Sequence, residues 1–291
     1  MSERPTFGPS RAELRRFLRV FLGRGPVVFG AVVVTVFLIL AVLGPLIAPY
    51  DPYFQDLNNV LSNPSRVHLL GTDSLGRDTL SRLIYGARIT LVVGVVAVGM
   101  GAVIGTALGL VAGFTGGMTN TVIMRLIDAL MAVPPLMFAL VLSAMLGGGV
   151  KNVMVAVGLS LLPAFARLMC GQALTVKEND YVLAAKAMGA RKLFIMLRHV
   201  LPNSLSPLIV QVTMTMGGAI LMEASLSFLG LGIKPPQAAW GAMVFDGYRY
   251  LTTHPVLSFA PGAAVMLVVF AFNMVGDGLR DALDPRLRGL L

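Results

Sequence analysis

Long stretches without a single Asp, Glu, Lys or Arg constrain this chain more than any other feature. They run from Gly25 to Tyr50, Ile89 to Met124, Ala129 to Val150, Asn152 to Ala166, His199 to Met222 and Tyr250 to Gly276. A bilayer core takes about 20 apolar residues as a helix. Five of the six windows are long enough alone. The fourth is short, but Arg167 at its end can snorkel to the interface. The fifth passes one acid, Glu223, and continues to Ile233. Six membrane helices are therefore predicted, at 27–47, 89–113, 126–147, 152–170, 204–231 and 256–276, in an all-α, polytopic chain. A cleaved signal peptide is rejected for the first. Its apolar run exceeds an h-region, and no small-x-small site follows it.

Composition supports this. Charged residues are 13% of the chain, about half the ~25% of soluble domains. A water-exposed surface needs more. The lone Cys170 excludes a disulfide scaffold, and three scattered His show no metal-ligand spacing. The net charge of +9 is then a topology signal. With six spans, both termini share one side. That side holds 16 of the 23 Lys and Arg residues and eight of the 14 acids. It is read as cytoplasmic by the positive-inside rule. The excess can meet anionic lipid of the bilayer, so no nucleic acid is needed as a partner. The resulting organisation is a cytoplasmic tail (1–26), a first span (27–47), an extracytoplasmic segment (48–88), a five-helix core (89–278) with a cytoplasmic loop (171–203), and a second tail (279–291).

The chain has no Walker A loop, H-E-x-x-H, G-x-S-x-G or G-x-G-x-x-G. It is therefore expected to be non-catalytic, with no cofactor or metal of its own. Any energy input must come from an ion gradient or a separate subunit.

Within the spans, Gly101, Gly105, Gly109 and Gly113 recur every fourth residue. They nearly share a face and allow close backbone approach. That face serves tight packing or a sliding gate. Pro134-Pro135 predicts a kink in the third span. Arg125 and Asp128 are spaced to pair near its start. Glu223 lies two-thirds along the fifth span. It is either a functional acid or a group that bonds Ser225, Ser227 or a partner helix.

The loop before the fifth span reads as two short helices. Asn179 or Asp180 can cap the first, which runs Tyr181 to Met188. Gly189 can stop it in the left-handed conformation. A second would run Arg191 to His199, and Pro202 would open the span. The first shows Tyr181, Val182, Ala184, Ala185 and Met188 with little charge. Such a surface either docks a partner or folds back on the bundle.

At this point a family resemblance emerges. Ala184-Ala185-x-x-x-Gly189, then nine residues, then His199-x-Leu201-Pro202, resembles the EAA loop of ABC-importer permeases. Leu183 and His199 depart from the family's Glu and Ile. Three more stretches agree: 70–78 with 81–88, Glu223 to Gly232 with Pro235, Pro236 and Trp240-Gly241, and Gly276 to Arg286. Together they are similar to the C-type permease subunit of dipeptide/oligopeptide importers, in the peptide/nickel branch. The resemblance implies a type I ABC importer permease fold. It implies four kinds of partner: a B-type permease, two ABC ATPases that bind ATP and Mg, an extracytoplasmic solute-binding protein, and a peptide substrate. Nickel, glutathione or another small solute is the alternative cargo. Asp180, Tyr181, Ala184, Ala185, Met188 and Gly189, with Leu201 and Pro202, would form the ATPase-coupling element. The implied location is the cytoplasmic membrane. A proton-driven secondary transporter using Glu223 and Asp128 is the competing class, and it lacks the inverted repeat such folds tend to show.

Overall fold

The computed structural model describes residues 21–283, and helices dominate it. Arg4, Arg11, Arg15, Arg16 and Arg19, with Asp284, Arg286 and Arg288, lie outside the described residues. In chain order the helices are α1 (Gly25–Ile47), α2 (Thr79–Thr115), α3 (Gly117–Met131), α4 (Pro135–Leu146), α5 (Val150–Val176), α6 (Asp180–Ala187), α7 (Lys192–Ile195), α8 (Leu205–Phe228), α9 (Trp240–Tyr248) and α10 (Val256–Leu283). Among the described residues five helices, α1, α2, α5, α8 and α10, are long and apolar enough to cross a membrane.

The sixth expected span is different. Residues 126–147 do not form one kinked helix. α3 and α4 meet at 86°, and they qualify as a span only as a pair. Two successive prolines explain the break. Neither Pro134 nor Pro135 offers an N–H, and a proline pushes the residue before it out of the helical region. Pro134 is itself extended (φ −54, ψ 135) and opens α4.

α2 also departs from its expected bounds of 89–113. It starts at Thr79, where the Asp78 carboxylate accepts from the Ser81 N–H at 2.8 Å, an N-cap. Its end is set by Gly116, whose φ of +68 suits a residue without Cβ. Arg82 in the first turn is buried, whereas Arg88, which bounds the charge-free window, is exposed. Arg77 and Arg82 both reach the Asp73 carboxylate, at 2.7 and 3.5 Å.

α5 is the hub. In it 72% of the most apolar stretch is buried, against 28–39% in the other four spans. It runs parallel to α2 along the glycine face. A Cβ at Gly101 would lie 2.9 Å from the Gly158 carbonyl oxygen. At Gly105 it would lie 2.5 Å from that of Leu162, and at Gly113 2.5 Å from that of Cys170. Gly109 faces the Ala166 carbonyl more closely still. The partners advance in step, so the seam extends for about 18 Å at 1.5 Å per residue. Lipid gives helices no hydrophobic reason to associate, so close van der Waals packing of this kind must hold them.

α1 packs on α2 and α10, and α8 packs on α10, α2 and α9. Arg24 before α1 pairs with Asp281 near the end of α10, which sets those two ends side by side. At the opposite end, Trp240 of α9 fills the space over Gly86 and donates from Nε1 to the Leu83 carbonyl at 2.8 Å. Phe37 of α1 meets that indole at 5.7 Å between ring centroids.

Candidate functional site

Three places gather the residues singled out by sequence. The first is the loop after α5. Lys177 ends that helix and donates from Nζ to the Gly113 carbonyl at 3.0 Å, tying the loop to the base of α2. Asn179 is extended (φ −69, ψ 145) and starts α6 by geometry, without a side-chain cap. Its Nδ2 donates to the Tyr181 hydroxyl instead, at 3.2 Å. Asp180 in the first turn suits the positive end of the helix dipole. Gly189 then turns left-handed with φ +77. The Ala190 N–H donates to the Ala185 carbonyl at 3.1 Å, closing the helix as a Schellman-type end does.

This short helix has two faces. Val182 and Ala185 are buried in the core with Ile195, Met196 and Val200. Tyr181, Leu183, Ala184 and Met188 point away from it, and Met188 is 81% exposed. The folding-back reading thus holds for Val182 and Ala185, and the other residues of this surface stay exposed. Ala185 sits on the inward face, apart from the exposed Ala184.

The second short helix was expected over 191–199. Only Lys192–Ile195 is α-helical, and Met196–Val200 widens into a π turn. That turn sets His199 between Phe194 and Tyr181, with centroids 5.7 and 6.2 Å away. It also leaves Leu193, Phe194 and Leu197 exposed beside α6. Sequence reading missed these three, because a continuous α-helix would have distributed them differently. Leu201 and Pro202 lie beyond the turn, at the entry to α8, and Pro202 is exposed.

The second place is the C-terminal end of α8. Glu223 is 1% exposed. Its Oε1 accepts from the Ser227 hydroxyl at 2.8 Å, and Ser227 Oγ accepts from the Ile233 N–H at 3.1 Å. The chain of bonds clamps the segment after α8 back onto the helix. Ser225 bonds the Leu221 carbonyl instead, at 2.7 Å. Replacing Ser227 by alanine strands both the acid and the N–H. It should cost about 1–3 kcal/mol, read as a lower thermal midpoint of the purified protein. Glu223→Gln keeps the acceptor and should cost much less.

Between the ends of α2 and α5 and residues 234–237 opens a cavity of about 980 Å³. Arg88, Lys151 and Lys234 line it, with no acidic side chain. Elsewhere, in a small pocket with Asp73, Thr79 and Arg82, Asp246 of α9 is partly buried. Burial pushes its carboxyl above the usual range, while Arg77 and Arg82 pull it down.

The third place is α3. Asp128 does not pair with Arg125 as the spacing suggested. Its carboxylate is held by Arg167 of α5, 39 residues on. Pro134 stands at the exposed break between α3 and α4. The glycine face, by contrast, is closed against α5 along its length.

Comparison with known proteins bears on this arrangement. Residues 105–289 match the family described as binding-protein-dependent transport system inner membrane component. Residues 13–64 match the N-terminal transmembrane domain of oligopeptide transport permease C. A glutathione transport system permease protein of Pectobacterium atrosepticum is 42% identical over 280 residues, 96% of this chain and 93% of that one. A dipeptide transport system permease protein of Alkalihalophilus pseudofirmus is 40% identical over 261 residues, 90% and 86% of the two chains. In fold, the chain is similar to a solved structure of the MetNI methionine ABC transporter in an inward-facing conformation. The TM-score is 0.56 at 19% identity, covering 70% of this chain and 96% of that one.

Proposed function

Since this chain belongs to the binding-protein-dependent transport system inner membrane component family and is a permease of the ABC-importer type, we propose that it carries short peptides inward as one half of a heteromeric pathway. Its partners are a second, B-type permease, two ABC ATPase subunits and an extracytoplasmic solute-binding protein. The ATPases hold the ATP and Mg, and this chain contributes no catalytic group. The end bearing α6 faces the cytoplasm of a bacterial or archaeal cell, with both termini on that side.

The observation that carries the reading is the exposed apolar face of α6, outside the bundle at the end of the hub helix. An apolar patch on a loop outside the membrane calls for a protein partner. Tyr181, Ala184, Met188 and the Gly189 corner form the contact, and Asp180 starts the helix. Val182 and Ala185 transmit its movement into the core. ATP binds one state of the ATPase pair better than the other, and that difference drives the spans between outward- and inward-facing states. The glycine seam moves as a rigid pair of helices, while the break at Pro134 is the place that bends.

The cargo follows from the relatives, whose names give dipeptides and glutathione. The test is uptake by the full complex in proteoliposomes, with its binding protein outside and ATP inside. A dipeptide or glutathione should accumulate only with ATP, and nickel should not. Accumulation of nickel alone would overturn the peptide cargo. Uptake that survives removal of the ATPases and collapses with a protonophore would overturn the ATP-driven mechanism.

A further inference from the structure

We propose that the Asp128–Arg167 ion pair stands on the wall of the translocation pathway, inside the membrane, where Arg167 receives the carboxylate of the passing solute. The inference rests on the importer reading above.

Depth comes first. α5 reaches the α6 end of the bundle at Val176. Ile127, the neighbour of Asp128, packs on Leu162 and Ala166. Those residues lie about 21 and 15 Å from Val176 at 1.5 Å per residue. On a 27-residue helix they flank its midpoint, so a hydrocarbon core about 30 Å thick centred on α5 covers this level. A helical side chain leans toward its helix's N-terminus. Arg167 thus reaches inward to Asp128 instead of snorkelling to the nearer interface.

Exposure comes second. The Arg167 and Asp128 side chains are 54% and 47% open in this chain. Open charges at that depth cannot face lipid tails, because ionisable groups in membrane helices turn to a bundle interior or a water-filled cavity. Sealing them dry against another helix would strip both of water for a single contact. An aqueous pathway satisfies both groups.

The rest of α5 agrees. Its middle is buried on most sides, by α2 along the seam and by α3 at Ile127. Toward the α6 end it opens along Ala164, Arg167, Gly171 and Leu174, which share one face at helical spacing. A Cβ added at Gly171 would meet nothing within 4 Å. Small residues flank the arginine, so there is room beside it.

The chemistry fits a carboxylate. A guanidinium has five N–H donors in a fork that matches a carboxylate. Asp128 engages Nη2. It serves as the resting counter-ion and competes with the solute, which keeps binding weak enough for release, as conduction requires.

The experiment uses the full complex in proteoliposomes. With Cys170→Ala as background, Ala164→Cys and Gly171→Cys should react with a membrane-impermeant methanethiosulfonate at least tenfold faster than Val103→Cys. Val103 is 71% exposed on α2, outside the seam. Equal, slow reaction at all three positions would overturn the wall assignment. In uptake of dialanine, Arg167→Gln should lose at least tenfold and Arg167→Lys less. Asp128→Asn keeps the arginine and should lower both the half-saturating dialanine concentration and the maximal rate. A fall in maximal rate alone would mean a structural pair and overturn the carboxylate role. If the wild-type complex takes up no dialanine with ATP, the cargo reading fails, and the labelling still decides the wall.

Discussion

Replacing Gly109 by leucine is expected to remove the folded protein from the membrane almost completely, whereas leucine at Gly99 leaves it near wild-type levels. Both glycines belong to α2, ten residues apart. A Cβ at Gly109 would run into the Ala166 carbonyl and come 2.9 Å from the Cys170 nitrogen, whereas one at Gly99 meets nothing within 4 Å. The neighbours at Gly109 are backbone, so no side chain can swing aside. Overpacking a tight interior costs about 1–3 kcal/mol. Here the strain would spread along a seam whose every fourth residue is in the same position. At the upper end, about 3 kcal/mol shifts the folded fraction by about two orders of magnitude. The measurement is the amount of monodisperse complex recovered in mild detergent. Wild-type recovery of Gly109→Leu would show that α2 and α5 are not held by backbone contact.

Much of this was legible in the sequence because membrane physics leaves few solutions. The five unbroken spans follow from apolar length, and the seam from glycines at a spacing of four. Gly189 followed from its place after a run of helix formers, and its φ is positive. What was not legible depends on contacts distant in the chain. Arg82 counted simply as one of the basic residues outside the spans, yet Asp73 and the Pro52 and Pro236 carbonyls bury it. The doublet Pro134-Pro135 predicted a disturbance but not its 86° angle. Asp128 had a sequence-local partner in Arg125, and the fold gave it Arg167. In the α6 loop, composition showed an apolar surface but not which residues turn inward. That division follows from helical phase once Val182 and Ala185 are fixed against the π turn.

The phase of α6 decides how the coupling role proposed for it is tested. Ala185→Asp is a poor probe, because Ala185 is 4% exposed, and a carboxylate there is buried without a partner. It should unfold the loop whether or not an ATPase docks. Met188→Asp is the informative change. Met188 is 81% exposed, so the isolated chain should keep its fold. In a docked interface the same carboxylate would replace an apolar contact. Truncating an interface anchor costs 2 kcal/mol or more, and about 2 kcal/mol is roughly a thirtyfold loss of affinity. ATP-driven uptake should fall at least tenfold, with the permease pair still recovered intact. Gly189→Val attacks the same contact through the backbone. At φ +77 a β-branched residue costs about 1–3 kcal/mol, and the helix end would relax, turning Tyr181 and Met188 away from their partner. It should uncouple hydrolysis from uptake, so that basal ATPase activity persists without stimulation by the loaded binding protein. Leu57→Asp is the control, since Leu57 is 71% exposed at the opposite end of the bundle. If Met188→Asp transports at the wild-type rate, the exposed face of α6 is not where the ATPase binds, and the neighbouring patch of Leu193, Phe194 and Leu197 becomes the surface to test.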